Sequence, residues 1–323
     1  KPQQMNRLIQ GDVGSGKTDV AVVALLAAIE TGFKGAIMAP TEILAAQHYY
    51  KFKRYLEKMN IEVYLLKGKM KKKEKKVVFD ALEGESPLVV VGTHALLEEP
   101  VKINKFGIAI IDEQHRFGVI QRLKLKQKGV FPHCLYMTAT PIPRTFMLTC
   151  YGDLDKSIIS EMPPGRIPAE TYYCGNKNRD KVYGFCRKRL VEGEQLFIVY
   201  PLVEESEKLD LQSAIEGAEK IKKVFTEFNV GLIHGKLSAQ EKEEIMQKFK
   251  QNKYQILVAT TVIEVGIDVP NATMIIIQDV ERFGLSQLHQ LRGRVGRGQK
   301  KSYCYLMGDP KSEKSKKRIN AML

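Results

Sequence analysis

The feature that most constrains this chain is Gly11-Asp12-Val13-Gly14-Ser15-Gly16-Lys17-Thr18, which fits the pattern G-x-x-x-x-G-K-[ST]. A short strand-like run, Arg7-Leu8-Ile9-Gln10, leads into it, and a helix-forming run from Asp19 to Ile29 follows. In that context the glycines let backbone N–H groups turn toward a polyphosphate, and the helix N-terminus adds the positive end of its dipole. Lys17 is then placed to neutralise β- and γ-phosphates, and the Thr18 hydroxyl to ligate magnesium. Alone, the motif is also compatible with an ordinary glycine turn before a helix, so the rest of the chain has to decide.

A phosphate loop of this kind belongs on a parallel sheet, and the chain is patterned for one. Short β-branched runs alternate with longer amphipathic stretches, as βαβ units require. Beyond the run before the loop, the expected strands of the first half are Ala36–Ala39, Leu88–Val91, Ile108–Ile111 and Leu135–Thr138. Those of the second half are Leu196–Tyr200, Val230–Ile233, Ile256–Ala259, Met274–Ile277 and Tyr303–Met307. Between the halves, Glu161-Met162-Pro163-Pro164-Gly165-Arg166 is a proline-glycine break that reads as a hinge. The expectation is an α/β protein of two lobes, residues 1–160 and 169–323, joined by a linker at 161–168. The 323 residues, 44% of them apolar, suffice for two cores. No repeat of about 20–50 residues is present, although two lobes are free to repeat in fold without repeating in sequence.

The run Ile108-Ala109-Ile110-Ile111 leads straight into Asp112-Glu113-Gln114-His115. It places adjacent carboxylates at the C-terminal end of a parallel strand, where open α/β sheets hold their ligands. Asp112 is suited to hold magnesium through water, and Glu113 to orient or deprotonate an attacking water. With the phosphate loop this pair specifies an ATPase; a surface turn is the bland alternative. In the second half, Gln287-Leu288-His289-Gln290-Leu291-Arg292-Gly293-Arg294-Val295-Gly296-Arg297 sets three arginines around glycines. Guanidinium groups delivered onto a γ-phosphate act as arginine fingers, each worth about 10³–10⁵ in rate, whereas a solvated basic helix would do nothing of the kind.

Charge says what class of partner to expect. Lys+Arg number 51 against 37 Asp+Glu, a net +14 with a pI near 9.4, which points to a polyanion. Residues 1–150 hold 23 basic and 14 acidic side chains and residues 151–323 hold 28 and 23, so both halves share the excess. No apolar run approaches the roughly 18–20 residues that span a bilayer, and the start lacks the apolar stretch of a signal peptide. A soluble, cytoplasmic protein without membrane contact is expected. Five scattered cysteines without a Cys-x-x-Cys argue for reduced, mostly buried thiols rather than a disulfide framework or zinc site.

The order of phosphate loop, Asp-Glu-x-His, Thr-Ala-Thr, then Gln-x-x-Gly-Arg-x-x-Arg resembles the superfamily-two helicase motor, two RecA-like lobes with ATP between them. Within that resemblance, Ala39-Pro40-Thr41-Glu42-Ile43-Leu44-Ala45-Ala46-Gln47-His48 and Gly92-Thr93-His94-Ala95-Leu96 look like strand-binding motifs. They imply DNA contacts at Thr41, Gln47, Thr93 and His94. Thr138-Ala139-Thr140-Pro141-Ile142-Pro143-Arg144 looks like the motif that couples hydrolysis to lobe movement, through Thr138, Thr140 and Arg144 together with Gln114. The run Val258 to Asp268 resembles the motif touching DNA through Thr260 and the nucleotide ribose through Asp268. Gln290, Arg294, Arg297 and His115 join Lys17, Asp112 and Glu113 as implied catalytic residues. Met5 to Thr18, Asp112 to Val119, Phe197 to Ser206, Glu161 to Arg166 and Glu281 to Leu285 narrow the likeness to the bacterial RecG family of branched-DNA translocases. The related Mfd translocase usually has a second acidic residue where Gln114 stands and Gln where His115 stands.

The resemblance implies ATP and Mg²⁺ as cofactors and branched duplex DNA, forks and Holliday junctions, as substrate in recombination and repair. It also implies a monomeric motor associated with the nucleoid, with single-strand DNA-binding protein as a further partner. The family's upstream wedge domain, adenine-contacting segment and downstream helical hairpin are not visible between Lys1 and Leu323, so a motor core cut at both ends is expected. Other superfamily-two motors, an Mfd-like translocase or an RNA helicase, and a nucleotide-gated DNA clamp without turnover remain open alternatives. The lysine cluster from Lys67 to Lys76 falls outside all these motifs and reads as a solvated helix start rather than a DNA track.

Overall fold

In the computed structural model, residues 4–12, 14–113, 117–139, 154–161, 167–201, 207–260, 269–296, 298 and 300–323 are described. The chain divides into two compact units, Lys1–Pro163 and Pro164–Leu323. In the first, strands β1 (Asn6–Gly11), β2 (Lys34–Met38), β3 (Glu62–Leu66), β4 (Leu88–Gly92), β5 (Phe106–Ile111), β6 (His133–Thr138) and β7 (Asp155–Ile159) form one sheet. Its order is β3-β4-β2-β5-β6-β1-β7, with every pairing parallel. Helices α1 (Lys17–Glu30), α2 (Glu42–Leu56), α3 (Lys72–Glu83) and α4 (Val119–Lys126) connect the strands. The interior strand β4, Leu-Val-Val-Val-Gly, is apolar along its whole length, with every residue buried. Continuous burial is what a parallel sheet covered on both faces requires, since there is no solvent side to take a polar residue.

The second unit holds β8 (Glu170–Cys174), β9 (Gln195–Val199), β10 (Val230–Ile233), β11 (Ile256–Ala259), β12 (Ala272–Ile277) and β13 (Tyr303–Met307). Its sheet is again wholly parallel, ordered β10-β11-β9-β12-β13-β8. Helices α5 (Arg179–Val191), α6 (Glu207–Val224), α7 (Ala239–Lys250), α8 (Leu285–Arg292) and α9 (Glu313–Asn320) accompany it. The core gathers Leu190, Leu196, Ile198, Phe225, Val258 and Ile276. Counted from the first strand of each unit, both sheets run third, fourth, second, fifth, sixth, first; the first unit adds β7 beyond β1. One topology is therefore written twice without any repeat in sequence.

The ten strands expected from apolar runs all form, each within two residues of the expected bounds. Strands β3, β7 and β8 form as well, outside the expected set: β7 and β8 are exposed or half-buried throughout, and β3 opens on the exposed Glu62 before its short run Val63 to Leu66. All three are edge strands, which need only one buried side. Of the expected hinge Glu161–Arg166, residues 162–166 lie outside the described residues. Among the described residues, no helix is long and apolar enough to cross a membrane. The lysine cluster leads into α3, whose Lys72, Lys73 and Lys76 are exposed while Lys75 pairs with Glu98 at 3.1 Å.

Cys134, Cys174, Cys186 and Cys304 are free thiols. Burial pushes the Cys186 and Cys304 thiols up to about 12. Since the thiolate is the nucleophile, neither should react with an alkylating reagent at pH 8 in the native chain, and both should react once urea exposes them. Mass mapping after timed labelling checks this; fast native labelling at Cys186 or Cys304 would contradict the packing.

Candidate nucleotide site

The loop begins where β1 ends, and its first glycine is required by close approach. A Cβ at Gly11 would collide with Ser15 Oγ and lie 3.1 Å from Ile159 Cβ. Gly16 caps α1 with a left-handed backbone, φ 91°, which disfavours any side chain, and no side chain caps this helix N-terminus. The Ser15 N–H donates to the Asp12 carbonyl at 3.1 Å, closing the turn. Lys17 bends back over it, its ammonium donating to the carbonyls of Gly11 at 2.8 Å and Asp12 at 2.7 Å.

Parallel pairing brings the acidic pair alongside. In the sheet, β6 lies between β5 and β1, so the C-terminal ends of all three face the same edge. Asp112 follows β5, Thr138 closes β6, and Gly11 closes β1. Asp112 is buried; its Oδ1 accepts the Glu113 N–H at 2.9 Å, and its Oδ2 lies 2.8 Å from Nε2 of His48 on α2. Burial works against the Asp112 charge, but the hydrogen bond and charge of His48 and the Lys17 ammonium outweigh it. The carboxyl is held below its ordinary value. Glu113 itself has a left-handed backbone, φ 48°. A glycine cradle, an ammonium, a carboxylate kept charged and the Thr18 hydroxyl form a hard-oxygen and cationic set that fits a magnesium-bound polyphosphate.

The other candidate residues divide by position. Thr41 is the N-cap of α2, its hydroxyl accepting the Leu44 N–H at 3.3 Å, with Gln47 half-buried farther along that helix. Thr93, just past β4, is buried, and its hydroxyl has no hydrogen-bond partner among the described residues; His94 next to it is exposed. In the second unit Thr260, just past β11, is buried with its hydroxyl in the same condition. Gln290 on α8 and Arg294 just beyond it are buried. Val13, Gln114, His115, Thr140, Arg144, Asp268 and Arg297 lie outside the described residues. His48 is the residue that motif reasoning missed. Leu44, His48, Phe52 and Leu56 form one buried stripe on α2 at a spacing of four, and a polar residue on such a stripe needs a buried partner.

The chain matches a DEAD/DEAH box helicase domain over residues 2–148 and a helicase conserved C-terminal domain over residues 179–299. It is 52% identical over 322 residues to the ATP-dependent DNA helicase RecG of Bacillus subtilis (strain 168), covering 99% of this chain and 47% of that protein. The chain belongs to the RecG helicase family. The RecG of Synechocystis is 51% identical over all of this chain and 39% of its own length. The chain thus spans less than half the length of these RecG relatives. A solved RecG bound to a three-way DNA junction superposes with a TM-score of 0.82 at 46% identity, over 99% of this chain and 42% of that one. The Mycobacterium smegmatis helicase Lhr bound to ssDNA and AMP-PNP, at 18% identity and TM-score 0.69 over 96% of this chain and 44% of that one, shares the fold. The two RecA-like units are thus those of a RecG helicase core.

The cap at Thr41 gives a stability test inside this core. Thr41→Ala should lower the stability of the first unit by about 0.5–2 kcal/mol, and Thr41→Ser should retain it. The urea midpoint measures both; an unchanged midpoint in the alanine variant would mean that the cap carries no weight.

Proposed function

We propose that this chain is the ATP-driven motor of a branched-DNA translocase, which hydrolyses ATP to move on duplex DNA and remodel forks and Holliday junctions. The observation that carries the reading is the meeting of Lys17 and Asp112 at one strand-end edge, where the lysine charge helps keep a buried carboxylate ionised. The RecG relatives, about half identical over nearly the whole chain, support the DNA substrate, as does the RecG bound to a three-way junction.

In this reading the loop N–H groups and Lys17 bind the phosphates, while Thr18 and Asp112 hold Mg²⁺. When bound, Mg²⁺ draws charge off the β- and γ-phosphates. Glu113 orients a water toward the γ-phosphorus and takes its proton as the bond to the β–γ bridging oxygen breaks and ADP leaves. Arg294 and Arg297 act as fingers on the charge that develops, with Gln290 and His115 beside them. Asp268 meets the ribose. Gln114, Thr138, Thr140 and Arg144 pass the change of nucleotide state to the DNA-contacting set Thr41, Gln47, Thr93, His94 and Thr260. A monomer in the bacterial cytoplasm, with single-strand DNA-binding protein as a partner, completes the proposal.

Phosphate release tests it. The chain should release phosphate faster with forked duplex DNA than with single-stranded RNA, and its affinity for the fork should fall steeply with salt, as backbone contacts to a duplex require. Glu113→Gln should lower turnover by about 10²–10⁴ while leaving Mg²⁺-ATP binding in place. Turnover that survives the substitution sinks the catalytic assignment. Equal stimulation by RNA sinks the DNA assignment.

A further inference from the structure

We infer that His48 is a positioning residue for the magnesium site: by donating Nε2–H to Asp112 Oδ2 it fixes the carboxylate before the metal arrives. The inference rests on the ATPase reading of the loop and goes one layer deeper into it.

Three observations carry it. The contact is short, 2.8 Å, and both side chains are almost fully enclosed, at 8% and 12% exposure, so water does not substitute for it. The other carboxylate oxygen is also occupied, by the Glu113 N–H at 2.9 Å. With a donor on each oxygen the carboxylate cannot rotate about its Cβ–Cγ bond without losing one of them, so its remaining lone pairs point in one direction. Third, α2 does not need the imidazole to hold its place. Leu44, Ala45, Phe52 and Leu56 already bury its inner face, and the helix begins at a cap, Thr41. A ring in that stripe would be met by any apolar side chain; a ring with an N–H aimed at a buried carboxylate answers a different requirement.

Groups that orient a metal-binding carboxylate from behind contribute about 10–100-fold to metal affinity. Two substitutions separate the donor from the ring. His48→Phe keeps a planar ring and removes the donor; His48→Gln keeps an N–H at about the reach of Nε2 and removes the ring.

The probe is mant-ADP with the 323-residue chain, titrated with Mg²⁺ and read by fluorescence. His48→Phe should raise the Mg²⁺ concentration at half-binding by about 10–100-fold while leaving mant-ADP affinity in EDTA unchanged. His48→Gln should restore most of the difference. A folded phenylalanine variant with a wild-type Mg²⁺ midpoint overturns the inference, as does a glutamine variant as impaired as the phenylalanine one. Wild-type chain that binds no mant-ADP at all overturns the ATPase reading itself, and this inference falls with it. Should the phenylalanine variant fail to fold, ¹⁵N-histidine spectra of the wild-type chain decide instead. The His48 Nε2 resonance should shift along the same Mg²⁺ titration, and a resonance that stays still rules the positioning role out.

Discussion

Everything at the candidate site follows from parallel pairing. In a parallel sheet all strands deliver their C-terminal residues to one edge, and the register of β5, β6 and β1 brings Asp112, Thr138 and Gly11 out there, each one residue farther along than the last. Strands in a sheet lie about 4.8 Å apart, so β5 and β1 are separated by roughly 10 Å, a span that a phosphate chain bridges and one side chain does not. The same edge continues through β2 and β4, where Thr41 and Thr93 emerge. The candidate nucleotide end and the candidate DNA end of the first unit are therefore two stretches of one edge. The covalent order of the motifs, scattered over about 130 residues, becomes a spatial row because the hydrogen-bond ladder imposes it.

How much of this was legible depends on what each residue has to bury. Interior strands such as Val89–Val91 and Ile275–Ile277 are covered on both faces, so their runs are continuously apolar and mark themselves in the sequence. The edge strands β3, β7 and β8 are marked less than these or than β10, an edge strand with an apolar run: Glu62, Asp155 and Glu170 open them, and all their residues except Leu66 are exposed or half-buried. Their existence is decided by the neighbouring strand that needs a partner, which is tertiary information. The phosphate loop was legible for the opposite reason, because Gly11 and Gly16 are demanded locally, one by contact with Ser15 and one by its backbone angle. His48 falls between. A lone histidine in a helix has no motif, and only its place in the stripe of Leu44, Phe52 and Leu56 hints that it needs a partner; that the partner is Asp112, 64 residues away, is visible only after folding.

The duplicated topology separates what the backbone requires from what the chemistry requires. Asp112 and Glu113 follow β5; at the same place in the second unit, Gln278 and Asp279 follow β12. Glu113 and Asp279 both have left-handed backbones, φ 48° and 49°. Such a conformation costs a non-glycine residue about 1–2 kcal/mol. Had it occurred only at Glu113, it would read as strain stored for catalysis. Its recurrence at Asp279, where the preceding residue is a neutral glutamine, assigns it to the turn by which the fifth strand of this fold exits the sheet.

Thr93 and Thr260 make the complementary case. They too occupy equivalent places, one past the fourth strand of each unit, and both bury a hydroxyl without a hydrogen-bond partner among the described residues. An unsatisfied buried hydroxyl costs about 1–3 kcal/mol, and a turn gains nothing from it, since valine would fill the same space without the penalty. The recurrence of the turn is explained by the fold; the recurrence of the hydroxyl is not. What the two hydroxyls share is their place, one residue past the fourth strand of each unit.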